Sequence, residues 1–267
     1  MLLALVLTGA FGLYTAIKYS RSEKKDTSVT KAPQTTITFP EGWDNKDVAA
    51  YLQEKGIATS TAFLAAQKSF NISDYPLLAQ KPKNADLEGF IFPDTYFIPT
   101  NPAAGQDINK IIIQKALDNF EQKITPQMQK DAASGGMDLF EIITLASIIE
   151  KEGGGNQAEK KTIAGVFYNR LNIKMALESD ATVNFATGKN SFQSSLNDTQ
   201  TDSPYNTYKF RGLPPGPICN PGLNSILAAI YPEKNDYLYF LTNPKTGQAV
   251  FAKTYEEHLT NKQKYLR

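Results

Sequence analysis

Two carboxylates lie at the end of a strongly apolar segment in the middle of the chain. The segment DLFEIITLASIIEKE (138–152) has helical spacing, and a run of three glycines follows it. This spacing puts Glu150 on an otherwise apolar face and Glu152 on a different one. Apolar surroundings and the negative end of the helix dipole disfavour a charged carboxylate, and a general acid must be protonated. We therefore predict Glu150 as a general acid; a solvated helix end is the alternative.

A second concentration of polar and aromatic residues lies further along the chain. The segments ESDAT (178–182) and SPYNTYKFRGLPPGPICN (203–220) contain Asp180, Tyr205, Asn206 and Tyr208. Aromatic rings with amide and hydroxyl groups suit sugars, which have apolar faces and polar edges. The prolines would hold such a loop in one shape at low entropic cost. The alternative is a structural loop that packs on the core.

The composition excludes several kinds of chemistry. The 267 residues include 28 Lys+Arg against 27 Asp+Glu, so no net field attracts nucleic acid. The chain has a single cysteine, Cys219, so an intrachain disulfide is excluded. It also has a single histidine, His258, and these two residues are too few for a structural zinc site of the Cys/His type. His258 is interpreted as a surface or packing residue. Catalysis would have to use carboxylates, hydroxyls, amides or lysines.

The first residues predict a membrane anchor and a tether. Met1–Ile17 has no charged residue and has the minimum length of a membrane-spanning helix, and residues 18–34 have the composition of a flexible linker. A cleaved signal peptide is the alternative, although the usual basic start is missing. Lys18 and Arg21 follow the anchor, and the positive-inside rule would leave the body of the protein in the cytoplasm.

The rest of the chain predicts an α+β fold in two modules. Residues 35–100 predict strand, helix, helix and strand, with Asp44 as a helix cap, a pattern of LysM-like and many other small units. Glu88 and Asp94 are interpreted as turn or cap residues, with substrate contact as the alternative. Residues 101–267 predict several helices, one of them capped by Asn220, a hairpin at 237–252, and a long functional loop between 171 and 220.

Several motifs then point to a family. In chain order they are LEGFIFPDTY (87–96), ASIIEKE (146–152), VFYNRL (166–171), SDATV (179–183), SPYNTYKFRGLPPGPICNPG (203–222) and FAKTYEEH (251–258). Together they resemble the MltG/YceG-like endolytic murein transglycosylases over nearly the whole chain. Two positions depart from the family pattern: Ala181 stands where the family usually has Pro, and Ala249 where it usually has His.

The resemblance implies an architecture and a reaction. It implies a single-pass anchor in the bacterial inner membrane, a LysM-like module (35–100) and a mixed α/β catalytic domain (101–267) on the extracytoplasmic side. It implies cleavage of the β-1,4 bond between N-acetylmuramic acid and N-acetylglucosamine in nascent peptidoglycan, which gives 1,6-anhydro ends and limits glycan length. The partners it implies are glycan strands, the membrane and penicillin-binding proteins; no nucleic acid, metal or cofactor is expected.

The resemblance also assigns roles to residues. The family's catalytic glutamate falls on Glu150. The candidates for gripping the sugar rings are Glu152, Asn169, Asp180, Tyr205, Asn206 and Tyr208.

Two other functions remain open. A hydrolase would use two carboxylates and water, for example Glu150 with Asp180, Glu152 or Asp94. A catalytically silent scaffold would bind the cell wall through the LysM-like module, with Glu150 as a helix end only.

Overall fold

The computed structural model describes residues 33–153, 156–189, 191 and 194–266. The predicted anchor, Met1–Ile17, and the tether up to residue 32 lie outside these residues. From Gln34 onward the chain forms one compact unit. Among the described residues, no single helix is long and apolar enough to cross a membrane, although one pair, Pro126–Ser134 and Leu139–Glu152, bent by 89°, passes by length and composition.

The first part of the unit is a two-stranded sheet with two helices between its strands. Strand β1 (Gln34–Thr38) pairs antiparallel with β2 (Thr95–Pro99), and helices α1 (Asn45–Glu54) and α2 (Ser60–Ser69) separate them. Asp44 caps α1 through a capping box, since its side chain accepts from the amides of the first turn. The predicted order of strand, helix, helix and strand is confirmed.

Helices dominate the second part. They are α3 (Ile108–Lys123), α4 (Pro126–Ser134), α5 (Leu139–Glu152), α6 (Gln157–Asn172), α7 (Asp180–Thr187), α8 (Leu223–Ile230) and α9 (Tyr255–Tyr265); between α8 and α9, β3 (Tyr239–Thr242) pairs antiparallel with β4 (Ala249–Ala252). The apolar helix α5 is buried along most of its length and packs against α6 and α8. The mixture of helices with small sheets confirms the predicted α+β class.

The hydrophobic core continues across residue 100. Phe90 lies edge-on to Phe120 of α3 with ring centroids 5.2 Å apart, and it stacks on Phe140 of α5 at 6.2 Å. Phe90 and Phe120 belong to one cluster of buried residues that also contains Ile37 of β1, and the partly buried Phe140 packs against this cluster. Burial of this shared apolar surface holds α5 against the sheet-bearing part of the chain.

The structure corrects three predictions of local structure. Helix α8 begins at Leu223 with Gly222 as its N-cap, so the prediction of Asn220 as the cap is wrong. The Asn220 amide instead accepts from the Ile91 amide and donates to the Trp43 carbonyl, which joins distant loops. Helix α4, capped by Thr125, was not predicted, and α7 lies within the segment predicted as a loop.

Glu88 has a buried carboxyl that contacts the first residue of α1. Its Oε2 accepts from the Asn45 amide at 3.0 Å, and its Oε1 has no hydrogen-bond partner among the described residues. Burial raises the pKa of Glu88 well above its usual value. Asp94 accepts from the Thr95 amide and from Asn119. Both carboxylates therefore act as turn and cap residues, as predicted.

A Glu88→Gln variant should gain stability relative to wild type as the pH rises. The raised pKa means that the folded protein favours the protonated Glu88 carboxyl. The contribution of this carboxyl to the free energy of unfolding is therefore complete below its pKa in the unfolded chain, and it is lost as the pH rises through its pKa in the folded protein. Gln carries no charge at any pH. Urea unfolding at about pH 5 and about pH 8 should show a larger difference between variant and wild type at the higher pH, and a constant difference would contradict this account.

Candidate active site

A cleft of about 1060 Å³ is lined by residues from α1, α5, α6, α7, β3 and α9. This volume is at the upper end for small-molecule sites and leaves room for an extended ligand. Charged side chains of both signs line it: Asp44, Lys46, Asp47, Lys151, Glu152, Arg170, Glu178, Asp180, Lys189 and Lys262. Among the described residues, no group of His, Cys, Asp or Glu is arranged to hold a metal ion.

Glu152, the last residue of α5, lines the cleft. The Ser179 hydroxyl donates to its Oε1 at 2.5 Å, and the Ala181 amide also donates to the carboxylate. Burial raises the pKa of Glu152 above its usual value, and the charge of Asp180 adds to this effect, whereas the two donors and Arg170 oppose it. Glu152 therefore combines access to the cleft with a carboxyl that favours its protonated form.

Asp180 and Tyr208 lie next to Glu152 in the cleft lining. The Tyr208 hydroxyl donates to Asp180 Oδ1 at 3.0 Å, and the Ser194 amide donates to the same oxygen at 3.2 Å. Burial and the Asp180 charge raise the pKa of the Tyr208 phenol, so this hydroxyl remains a donor at neutral pH. Two candidates predicted from different motifs are thus joined by one hydrogen bond.

Glu150 lies outside the cleft lining, in a buried ion pair. Its Oε1 is 2.9 Å from Lys160 Nζ, and its Oε2 accepts from the Gly222 amide at 3.0 Å and the Ser225 hydroxyl at 2.7 Å. The paired side chains are only 8% and 9% exposed. The prediction that Glu150 has apolar surroundings is wrong, because α6 and α8 supply a cation and two further donors.

Glu41 is a carboxylate near this pair that the sequence analysis did not select. A Cβ atom built on Gly222 would lie 2.0 Å from the Glu41 carboxylate, so any side chain at position 222 would displace that carboxylate. Partial burial and the charge of Glu150 raise the pKa of Glu41. The Lys151 ammonium donates to the Gly42 carbonyl at 3.0 Å and ties the same turn to α5.

Three predicted sugar-binding residues do not line the cleft. Asn206 is fully buried and donates to two carbonyls of its own loop. The Asn169 amide donates to the carbonyls of Asn235 and Tyr237, and the Tyr205 ring packs against Phe185 at 4.9 Å. The contacts of all three residues fix loop conformations. For Tyr205 and Asn206 this agrees with the alternative interpretation of segment 203–220 as a structural loop.

Another part of the lining contains residues with no predicted role in binding. Tyr239, Tyr255 and His258 all contribute to the cleft, and His258 stacks on Tyr239 at 5.4 Å. The packing predicted for His258 is therefore present, but the same side chain is also part of the cleft wall. The FAKTYEEH motif (251–258) contained the only signal for this position.

The fold and the site define an α+β protein with a large cleft whose lining includes the Glu152 carboxyl. The YceG-like family model matches residues 8–264, and the chain belongs to this family. It is 43% identical to the endolytic murein transglycosylase of Bacillus subtilis (strain 168) over 180 residues, which cover 67% of this chain and 48% of that protein. It is 34% identical to the endolytic murein transglycosylase of Streptococcus pneumoniae (strain D39) over 247 residues, which cover 85% of this chain and 44% of that one.

A solved structure shares the fold. The crystal structure of a YceG-like protein from Listeria monocytogenes matches with a TM-score of 0.74 and 36% identity, over 86% of this chain and 76% of that chain. The chain spans about half the length of the two curated transglycosylases.

Removal of Lys160 should destabilise the fold strongly. Lys160→Met leaves the Glu150 charge buried without its cation, and breaking one partner of a buried pair costs about 3–5 kcal/mol in the free energy of unfolding. The double variant Glu150→Gln, Lys160→Met should lose less than the sum of the single variants, because no uncompensated charge remains. Urea unfolding measures all three variants.

The matched control is the exposed pair Asp202–Lys209, whose carboxylate is 85% exposed. Asp202→Asn should change the free energy of unfolding by about 1 kcal/mol or less. A similar small loss in Lys160→Met would refute the importance of the buried pair.

Proposed function

We propose that the chain cleaves peptidoglycan glycan strands as an endolytic murein transglycosylase, with Glu152 as both acid and base. The observation that carries the proposal is a largely buried carboxyl with a raised pKa in the lining of a cleft large enough for several sugar rings. The two curated relatives bear the name of this activity. The reaction uses no water and a single proton-carrying carboxyl, which is the role proposed for Glu152.

A single carboxyl, Glu152, both donates and accepts the proton in the proposed reaction. Protonated Glu152 donates to the glycosidic oxygen, and the bond from that oxygen to the anomeric carbon of N-acetylmuramic acid breaks. Glu152, now a carboxylate, takes the proton from the C6 hydroxyl of the same sugar. That oxygen attacks the anomeric carbon and closes the 1,6-anhydro ring, a step that gains from proximity because both groups belong to one residue.

Glu152 suits this role better than Glu150, which both the helical pattern and the resemblance favoured. A proton carrier must reach the bond it protonates, within hydrogen-bond distance or through one water. Glu152 contributes to the cleft lining, whereas Glu150 uses both oxygens for Lys160, Ser225 and Gly222. We assign Glu150 the role of a positioning residue that fixes the end of α5.

Asp180 and Tyr208 would support the transition state. The anomeric carbon gains positive charge as the glycosidic bond breaks, and the Asp180 carboxylate would stabilise that charge from the same cleft. The Tyr208 hydroxyl and the Ser194 amide hold Asp180 in place. A second carboxylate beside the first also makes a two-carboxylate hydrolase the outcome that the experiment below must exclude.

The membrane location is proposed from the sequence pattern. The uncharged Met1–Ile17 would anchor the protein in the inner membrane, and residues 18–34 would tether the extracytoplasmic body to it. The module 35–100, with its strand, helix, helix and strand, would bind glycan in the manner of a LysM domain. Penicillin-binding proteins that polymerise glycan are the proposed partners at that surface.

Glu152→Gln should abolish cleavage while the protein remains folded. Gln keeps the shape of the side chain and can still accept from Ser179, but it carries no transferable proton, and acid–base assistance contributes about 10²–10⁴ in rate. Glu150→Gln should retain cleavage per folded molecule within about 10-fold and should instead lower thermal stability. Mass spectrometry of products from purified glycan strands measures cleavage in both variants.

Water enriched in heavy oxygen distinguishes the two reactions. Anhydro ends formed by transglycosylation contain no solvent oxygen, whereas a hydrolase incorporates the label into reducing ends. Labelled reducing ends at initial rate would replace the proposed reaction with hydrolysis by Glu152 and Asp180. A folded Glu152→Gln variant with wild-type cleavage would refute the assignment of the carboxyl.

The alkaline limb of the pH profile should move in opposite directions in two variants. Asp180→Asn removes a negative charge that raises the pKa of Glu152, so activity should be lost at lower pH than in wild type. Ala181→Pro removes an amide that donates to the carboxylate and lowers this pKa, so activity should persist to higher pH. Profiles of kcat/KM report the pKa in the free enzyme, and two shifts in the same direction would contradict the assignment.

A further inference from the structure

Three aromatic side chains form a cluster in the cleft lining at the hairpin and the last helix. Tyr239 of β3 lies 5.9 Å from Tyr255 and 5.4 Å from His258, both of α9, and the rings of Tyr255 and His258 lie 6.4 Å apart. All three residues contribute to the same cleft as Glu152. We call Tyr239, Tyr255 and His258 the aromatic triad.

Arg170 of α6 holds the triad in place. Its guanidinium lies 5.1 Å from the centre of the Tyr239 ring, and its Nε donates to the Leu238 carbonyl at 2.6 Å. Its Nη1 donates to the carbonyls of Ala176 and Leu177, so the side chain is itself fixed. A preformed aromatic surface binds a ligand with little loss of side-chain entropy.

The outer member of the triad is available to a ligand. Tyr255 is 53% exposed. His258 lies behind it, and its Nδ1 is enclosed by protein without a partner among those residues. Partial burial, Lys262 and Arg170 lower the pKa of His258 against the opposing effect of Glu178, so the ring is neutral near pH 7.

We propose that the aromatic triad is a sugar-binding subsite of the cleft, in which the Tyr255 ring stacks on the apolar face of a glycan ring away from the bond that is cleaved. The inference rests on the proposed function for the identity of the glycan. A neutral aromatic face suits the C–H surface of a sugar, and the Tyr255 hydroxyl can bond to its polar edge. The subsite would hold the strand while Glu152 acts elsewhere in the cleft.

The experiment measures glycan binding in the full chain with Glu152→Gln, which removes turnover. Calorimetric titration uses peptide-free oligomers of alternating N-acetylglucosamine and N-acetylmuramic acid, and the free stem peptide as a second probe. Tyr255→Ala in this background should weaken binding of the oligomers about 10-fold. Tyr255→Phe keeps the ring and should bind within about 3-fold of the parent.

Tyr231→Ala is the matched control. Tyr231 follows α8, is 38% exposed and does not contribute to the cleft, so its removal should leave the affinity unchanged. Circular dichroism with thermal melting confirms that each variant is folded. In the active protein, Tyr255→Ala should raise KM for long strands with little change in kcat, because the interaction is made in the ground state and the transition state alike.

The outcomes separate this inference from the proposed function. An affinity of Tyr255→Ala equal to that of its Glu152→Gln parent, or an equal loss in Tyr231→Ala, overturns the subsite, even where wild-type protein produces anhydro ends. A loss confined to the stem peptide overturns it too and makes the triad a peptide site. Absence of anhydro ends from wild-type protein overturns the proposed reaction, whereas the titration with Glu152→Gln still decides whether Tyr255 binds glycan.

Discussion

The buried ion pair between Glu150 and Lys160 is the interaction on which the site depends. Removing two charges from water is costly, and the attraction between them compensates only when the remaining hydrogen-bonding groups are satisfied. Here Lys160 donates to Oε1 of Glu150 and to the Ser225 hydroxyl, and Ser225 and the Gly222 amide both donate to Oε2. The pair therefore joins α5, α6 and α8 at one point, two residues before Glu152.

This arrangement explains how the two glutamates of the segment EKE (150–152) can have different roles, one in the ion pair and one in the cleft. Residues two apart on a helix point about 200° away from each other. Glu150 therefore faces α6 and α8 when Glu152 faces the cleft, and the pair that immobilises the first also fixes the direction of the second. A helix end normally frays, but here the last turn carries a buried ion pair, so the carboxyl in the cleft is held in position before a ligand arrives.

Local signals in the sequence predicted much of the fold but could not rank the two glutamates. Asp44, Thr59 and Asp138 each cap a helix with their own side chains, and such short-range bonds can be read from neighbouring residues. Asn220 has the same chemistry, but its amide serves Trp43 and Ile91 instead, and only the tertiary structure brings those loops together. Lys160 was missed for the same reason, because helical periodicity shows that a face is apolar and does not show which cation another helix places against it.

The groups around Glu152 shift its pKa in opposite directions, as a carboxyl that acts both as an acid and as a base requires. An acid must hold a proton near neutral pH, and a base must be stable without it, so a strong bias toward either form would slow one half of the reaction. Burial and Asp180 favour the protonated form, whereas Ser179 and the Ala181 amide donate to the carboxylate and favour the ionised form. Ala181 is the position where the resemblance led us to expect Pro, and Pro has no amide hydrogen to donate. The departure from the family pattern therefore adds a donor to the carboxylate, which moves the balance in this chain toward the base.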